Sequence, residues 1–302
     1  MKITRRDFLK TTALTSLYFA GFGAPGYTNS GTKKNLVVIM LRGGMDGLCA
    51  LPIKGDKHFE KLRSKINLDR TLPLSSDFDL HPALKTFKSL WDQNQSAAVH
   101  ATNIPYTGRS HFDGQNLMES GGKIPYREKT GWLGRGMKIA GLTGNGLALA
   151  LPMPLLIRGV PMNNNYFPVG HKLPYPSTLK IIQEAYKQYD EKLLSENLEI
   201  IQTRELSNTS SDESWVLASN AANELSKPDG PKVAVFEVDG FDTHAAQGGT
   251  NGAHADCLSD YDNIIRSLKS SMTKEAFKNT LILTLTEFGR TIKQNSGNGT
   301  EH

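Results

Sequence analysis

The sequence contains only two cysteines, Cys49 and Cys257, among its 302 residues. This number excludes a scaffold held by several disulfides and a zinc site with four cysteine ligands. A single disulfide between the two stays open, because the sequence does not show whether their Cα atoms lie within the roughly 4–7 Å that a bridge requires.

The sequence also lacks a long hydrophobic run. The apolar stretch near the N-terminus, residues 11–22, is shorter than the roughly 20 residues that cross a bilayer as a helix. No other stretch approaches that length. We therefore predict no stable membrane span once the N-terminal segment has been removed.

Residues 1–30 are predicted to be a secretion signal that precedes the fold. Residues 4–10, TRRDFLK, resemble the twin-arginine signal in their arginine pair, their Phe-Leu pair and their trailing lysine. Glycines and Pro25 end the apolar run that follows, and the small residues suit a cleavage site between Gly23 and Ser30. The alternative interpretation is an amphipathic N-terminal helix of the fold.

This signal predicts export to the periplasm or the exterior, with the twin-arginine translocation machinery as a partner. That route normally carries proteins that have folded before export, often because they must first acquire a cofactor or a metal. Export by this route is therefore associated with a bound cofactor.

A strong excess of charge of one sign is missing as well. The formal net charge is +5, but residues 1–30 carry +3 of it, which leaves +2 for residues 31–302. The pI near 9.0 is thus largely a property of the signal. The charge gives no reason to predict a nucleic-acid partner or an anionic membrane surface.

What the sequence does contain is an alternation of apolar strand patterns and helical patterns. Continuous apolar runs rich in β-branched residues predict strands buried on both faces of a parallel sheet. The strands are predicted at residues 35–41, 96–100, 231–238 and 280–286, the helices at 81–91, 177–206, 211–225 and 253–272, and a surface loop at 163–176. This order predicts one α/β domain over residues 31–302 with a mostly parallel sheet.

Polar residues follow each predicted strand. In open α/β sheets, ligands bind beyond the carboxyl ends of the strands, so these residues are expected at one edge. Converging Asp, Glu and His side chains predict a site for a divalent metal, and a nearby serine could attack an ester there. The residues concerned are Asp46 after the first strand, Ser110 to Asp113 after the second, Asp242 and His244 after the third, and Glu287 with His302 after the fourth.

Each piece also has a purely structural interpretation. The segment 42–47, RGGMDG, is a glycine-rich turn with a capping aspartate and lacks the GxGxxG pattern of dinucleotide sites. Ser110 suits the N-cap of a helix beginning near His111. If all these residues are caps and turns, the chain binds no metal.

Six sequence blocks resemble a bacterial family known as domain of unknown function 1501, which is placed in the alkaline phosphatase and sulfatase superfamily. The blocks are residues 41–47 (LRGGMDG), 108–113 (GRSHFD), 131–135 (GWLGR), 240–244 (GFDTH) with Gln247, 287–290 (EFGR) and 299–302 (GTEH). The resemblance implies an alkaline-phosphatase-like three-layer sandwich, with a mostly parallel central sheet and helices on both faces.

The resemblance also implies roles for individual residues. Ser110 is the implied nucleophile, with Thr107 as a weaker candidate. The anionic ester would be bound by Arg42, Arg109 or Arg290. Asp46 and Glu287 are implied ligands of one cation, and Asp242, His244 and His302 are implied ligands of the other.

Two residues depart from the family pattern. Glu287-Phe288 stands where better-known members of the superfamily have an Asp-His pair, which puts the second metal in doubt, and Glu301 replaces the usual aspartate. Because the family normally continues beyond this point, we expect a C-terminally truncated member.

Two functions follow as hypotheses. The first is an exported hydrolase of phosphate or sulfate esters that uses Ser110 and one or two divalent ions, with Zn, Mn, Ca and Mg as candidates. The second is a non-catalytic exported binding or assembly protein that keeps the fold and a structural metal.

Overall fold

The computed structural model describes residues 34–66, 68–149, 153–159, 164–166, 176–188, 213–228 and 230–302. The chain divides into two compact units, Met1–Tyr166 with Ser214–His302, and Phe167–Glu213. In chain order the elements are β1 (Asn35–Leu41), α1 (Gly47–Ala50), α2 (Lys57–Leu62), β2 (Leu72–Pro73), β3 (Asp79–Leu80), α3 (Lys85–Asp92), α4 (His111–Ser120), α5 (Trp132–Ile139), β4 (Gly146–Leu149), a 3-10 helix (Leu155–Ile157), β5 (Asn164–Tyr166), α6 (Pro176–Gln188), α7 (Ser214–Ser226), β6 (Val233–Val238), α8 (Ala253–Ser271), α9 (Lys274–Lys278) and β7 (Thr280–Thr286).

The first unit is built on a five-stranded sheet of order β5-β4-β6-β1-β7, in which all neighbouring strands are parallel. Strands β2 and β3 form a separate antiparallel pair. Strand β1 is central, and all seven of its residues are buried. The predicted α/β class with a mostly parallel sheet is therefore confirmed.

Helices cover both faces of this sheet, because alternate residues of β1 point to opposite sides. Val37, Ile39 and Leu41 pack with apolar residues of α7 and α8. Leu36, Val38 and Met40 pack on the other side with residues of α4 and α5. This arrangement agrees with a three-layer sandwich.

The predicted strand at 96–100 is wrong. These residues form no strand, and Ala97, Ala98 and Val99 are exposed just after the end of α3. The sheet instead contains β4, a strand that the sequence did not predict and whose four residues are buried. A short apolar run such as residues 96–100 does not by itself fix a strand, because strand formation depends strongly on tertiary contacts.

Two further predictions fall partly outside the described residues, and the predicted signal, residues 1–30, lies wholly outside them. The predicted helix 177–206 corresponds at its start to α6, and residues 189–206 lie outside the described part. The predicted loop 163–176 contains strand β5 at residues 164–166, and residues 167–175 also lie outside the described part.

Both cysteines are free, so the disulfide that the sequence left undecided does not form. Cys49 is buried, and burial raises the pKa of its thiol to about 12, which leaves it an inert core residue. In the part of the chain that the structure describes, no helix combines the length and apolarity needed to cross a membrane.

Candidate metal centre

Four side chains gather beyond the carboxyl ends of the central strands. They are His111 at the start of α4, Asp242 and His244 in the loop after β6, and His302. One ligand atom from each lies within 4.8 Å of the others. Among the described residues, no other group of three or more His, Cys, Asp or Glu side chains meets this criterion.

The N-terminal cap of α4 fixes the position of His111. The Ser110 hydroxyl accepts a hydrogen bond from the Asp113 amide at 3.3 Å, and the Ser110 amide donates to the Tyr106 hydroxyl at 3.1 Å. These bonds satisfy backbone groups that a helix start leaves unpaired. The capping role predicted for Ser110 is thus confirmed, and it places the imidazole of the next residue at the edge of the sheet.

A buried carboxylate orients this imidazole. Glu287 accepts hydrogen bonds from His111 Nδ1 at 2.9 Å, from Gln115 Nε2 at 3.0 Å and from the Gly43 amide at 2.8 Å. Burial alone would raise the pKa of Glu287, but the hydrogen bonds from Gln115 and His111 outweigh it and lower the pKa. The ionised carboxylate therefore holds the Nδ1 side of the ring, and the other ring nitrogen, Nε2, faces the cluster.

The inward-facing nitrogen of His111 has the environment of a metal ligand. Nε2 is buried and makes no hydrogen bond, although Asp242 Oδ1 lies 3.3 Å away. Distance alone would suggest an ion pair here, but hydrogen-bond geometry is absent. The other ring nitrogen, Nδ1, is the one that contacts Glu287. An imidazole nitrogen and a carboxylate oxygen thus face each other without a hydrogen bond, as two ligands of a shared cation do.

His244 and His302 complete the set. His244 Nδ1 lies 3.1 Å from Glu301 Oε2, and its Nε2 lies 2.9 Å from Asp242 Oδ1. The ring of His302 stacks on Phe288 with centroids 4.9 Å apart, and its buried Nδ1 has no hydrogen-bond partner. Burial, followed by the neighbouring His111 and Arg290, lowers the pKa of His302, so the neutral ring that binds metals is favoured.

Arg290 holds the carboxylate of the set in its ionised form. Burial would raise the pKa of Asp242, but the hydrogen bond and charge of Arg290 outweigh it and lower the pKa. The buried guanidinium also donates to the carbonyl oxygens of Gly43, Gly44, Phe241 and Thr300, which joins three loops at the site. The donors of the Arg290 guanidinium are thus used in hydrogen bonds within the protein.

Asp46 lies elsewhere. Its buried carboxylate forms an ion pair with Arg63 and accepts from Gln247 Nε2 at 2.7 Å and from the Cys49 amide at 3.2 Å, which caps α1. Burial opposes ionisation, but the charge of Arg63 outweighs it and lowers the pKa of Asp46. The donors of Arg63 also reach the carbonyl oxygens of Thr291 and Ile292.

The structure thus brings together three of the five predicted ligands, Asp242, His244 and His302, and adds His111 to them. Glu287 contacts the set through His111 Nδ1. Of the other predicted residues, Arg109 is exposed, Thr107 lies in an exposed loop, and Arg42 forms ion pairs with Glu119 and Glu237.

Sequence reasoning placed His111 in the polar segment after the second predicted strand but did not name it as a metal ligand, although the helix pattern held a signal. His111, Gln115 and Glu119 recur every four residues and so share one face of α4. All three contact charged residues that directly follow β1 or β7, because Gln115 and His111 bind Glu287 while Glu119 binds Arg42. A polar stripe on the face of a helix that packs on a sheet marks a site.

A buried histidine outside the cluster, His254, predicts acid sensitivity. His254 is fully buried, neither ring nitrogen makes a hydrogen bond, and burial lowers its pKa to about 4. Its unfolded pKa is about 6.5, so the unfolded chain binds the proton first, and stability is lost as the pH falls from about 6.5 to 4. We expect this histidine to cost up to about 1.4 kcal/mol of unfolding free energy per pH unit in that window.

Urea unfolding of the wild type and of His254→Leu at several pH values measures this contribution. We expect a shallower loss of stability below pH 6.5 in the variant. Equal slopes in the two proteins would show that His254 does not carry the effect.

The C-terminal part of the chain is similar to a family described as protein of unknown function (DUF1501), whose model matches residues 207–302. This segment contains Asp242, His244, Glu287 and His302, whereas His111 lies outside it. No curated protein and no solved structure matches the chain.

Proposed function

We propose that the chain is an exported, metal-dependent hydrolase of phosphate or sulfate esters that binds one divalent cation through His111, Asp242, His244 and His302. The observation that carries the proposal is the convergence of these four ligand atoms within 4.8 Å, with His111 Nε2 buried and without a hydrogen bond. The hydrolase chemistry and the alkaline phosphatase superfamily rest on the six resembling blocks, and export rests on residues 4–10.

The donor set favours particular ions. Three imidazoles and one carboxylate suit zinc or another transition metal better than magnesium or calcium, which prefer oxygen ligands. Of the candidate ions, we therefore propose zinc or manganese. When bound, such an ion would polarise an ester oxygen and lower the pKa of a bound water.

The protein residues supply the remaining requirements. Glu287 and Glu301 hold His111 and His244 by their Nδ1 atoms, so the Nε2 atoms stay available. The site is open to substrate, because the side chains of Asp242 and His244 are 44% and 38% exposed. Arg109 is exposed beside Ser110 and is the side chain proposed to bind the anionic group of the ester.

Metal removal and reconstitution test the proposal. The purified full chain should hydrolyse aryl phosphate or aryl sulfate esters, lose this activity in a strong chelator, and regain it with zinc or manganese. His244→Ala should remain inactive after the same reconstitution, whereas His58→Ala, which changes an exposed histidine of α2, should behave as wild type. Metal binding without hydrolysis of either ester class would reject the hydrolase.

Ser110 has two proposed roles, helix cap and nucleophile, and two substitutions separate them. Asparagine caps a helix as well as serine does but lacks the nucleophilic hydroxyl, whereas alanine lacks both and costs about 1 kcal/mol of stability. We expect Ser110→Asn to fold with wild-type stability and to lose at least about 100-fold in kcat, and Ser110→Ala to lose both stability and activity. Wild-type turnover by Ser110→Asn would exclude serine as the nucleophile.

The alternative is a non-catalytic exported binding or assembly protein with a structural metal. The observation that favours it is the Ser110 hydroxyl, which is hydrogen-bonded in the cap of α4. This alternative predicts a stoichiometric metal, no ester hydrolysis, and a metal content that is unchanged in Ser110→Asn.

A further inference from the structure

The two residues that the family resemblance implies as ligands of a second cation are engaged in other contacts. The carboxylate of Asp46 forms its ion pair with Arg63 and caps α1. One oxygen of Glu287 contacts His111 Nδ1, Gln115 and a backbone amide. Among the described residues, neither carboxylate belongs to a group of His, Cys, Asp and Glu side chains close enough to share an ion. These residues therefore do not fit a second metal.

A permanent positive charge lies directly beside the four ligands of the first. The side chain of Arg290 is fully buried, and its Nη2 donates to Asp242 Oδ1 at 2.5 Å. The same oxygen lies 2.9 Å from His244 Nε2 and 3.3 Å from His111 Nε2. One carboxylate oxygen thus faces both the guanidinium and the imidazoles, so Arg290 shares this ligand with any ion that the set binds.

The guanidinium is surrounded by oxygen atoms, as a bound cation is. Its Nε donates to the carbonyl oxygen of Gly44 at 2.7 Å, Nη1 to that of Thr300 at 3.0 Å, and Nη2 to those of Gly43 and Phe241. Gly43 and Gly44 have φ of 111° and 65°, a region that favours glycine, so the turn after β1 directs consecutive carbonyl oxygens to one charge. Carbonyl and carboxylate oxygens are also the ligands of hard metal cations.

From this arrangement we propose that Arg290 is the second cation of the centre. Two-metal hydrolases place a second ion about 3.5–4 Å from the first, and here the buried guanidinium takes that place. The centre therefore binds one metal ion, and Arg290 is a positioning residue that holds Asp242 Oδ1 toward this ion without touching substrate. The inference rests on the proposed metal centre, and it requires a positive charge at position 290 in addition to hydrogen-bond donors.

Chemical rescue of Arg290→Ala separates the charge from the hydrogen bonds. Guanidinium and urea are both planar, similar in size and able to donate to carbonyl oxygens, but only guanidinium is charged. We expect the zinc affinity of the full chain, measured by competition with a chromophoric chelator, to fall about 10–100-fold in Arg290→Ala. Low millimolar guanidinium chloride should restore it, whereas urea or sodium chloride at the same concentration should not. The wild type should respond to none of the three.

A pair of substitutions and a measurement of stability keep the test independent of the alanine variant alone. Arg290→Lys keeps the charge, whereas Arg290→Met keeps a long side chain without it, so we expect the lysine variant to bind zinc more tightly than the methionine variant. Guanidinium should also raise the melting temperature of metal-free Arg290→Ala until the effect saturates. This second measurement depends neither on bound metal nor on hydrolysis.

Three results would overturn the assignment of Arg290. They are equal rescue by urea and guanidinium, equal zinc affinity of Arg290→Lys and Arg290→Met, and two ions per chain in the wild type saturated with manganese. A wild type that binds no metal would instead reject the centre on which the inference rests. Zinc in the wild type without any effect of guanidinium on Arg290→Ala would reject the role of Arg290 alone.

Discussion

Replacing Glu287 by glutamine is expected to weaken metal binding by about 10–100-fold without changing the number of ions bound. Carboxylates that hold the far nitrogen of a metal-binding histidine typically have effects of this size. Glu287 is fully buried, and one of its oxygens accepts from His111 Nδ1, Gln115 and the Gly43 amide. Glutamine keeps the shape of the side chain but loses the charge that fixes the His111 tautomer.

Competition with a chromophoric chelator measures this affinity, and Glu301→Gln is the matched control. Glu301 makes the same kind of contact to His244, but its side chain is half exposed, so solvent screens its charge. We expect a smaller loss in Glu301→Gln than in Glu287→Gln. Two ions in the wild type and one in Glu287→Gln would instead make Glu287 a direct ligand of a second metal, as the family resemblance implies.

Removing the carboxylate of Asp46 is expected to reduce the unfolding free energy by about 3–5 kcal/mol while metal binding under native conditions is unchanged. The reason is the ion pair with Arg63, whose two side chains are 1% and 2% exposed. Deleting one partner of such a pair leaves an uncompensated buried charge, which is strongly destabilising. The loss would also loosen residues 291–292, which the same guanidinium binds.

Denaturant unfolding of Asp46→Ala, Arg63→Met and the double variant tests this account. Because the double variant leaves no unpaired charge, we expect it to be more stable than Asp46→Ala alone. Metal content measured on the folded proteins should match the wild type in all three. A stable Asp46→Ala protein that has lost metal would assign Asp46 to a metal site instead.

The parts of the fold that the sequence predicted are those with an unambiguous local pattern. Strands β1 and β7 are continuous apolar runs, and their predicted bounds agree with the structure at both ends. The segment 96–100 and the strand β4 are both short and rich in alanine or leucine. Their local patterns are nearly equivalent, so only contacts with β6 and β5 decide that β4 is the strand.

The same difference between local patterns and long-range contacts applies to the site. Asp242, His244 and His302 were predicted because they follow strands of a parallel sheet, where topology alone brings residues together. Asp46 also follows such a strand, but its carboxylate forms an ion pair with Arg63, which directly follows α2. No local pattern in the sequence predicts that long-range ion pair. His111 joins the site from a helix, so its position depends on how α4 packs against the sheet.

The central claim is that one metal ion is bound by a set that includes His111, and elemental analysis of three proteins tests it most directly. We predict about one ion per chain in the wild type and in Asp46→Ala, and none in His111→Gln, with folding of each protein checked by circular dichroism. Glutamine suits a helix and keeps a hydrogen-bond donor for Glu287, but it lacks the imidazole nitrogen. An unchanged metal content in His111→Gln, or a metal lost only in Asp46→Ala, would contradict the account.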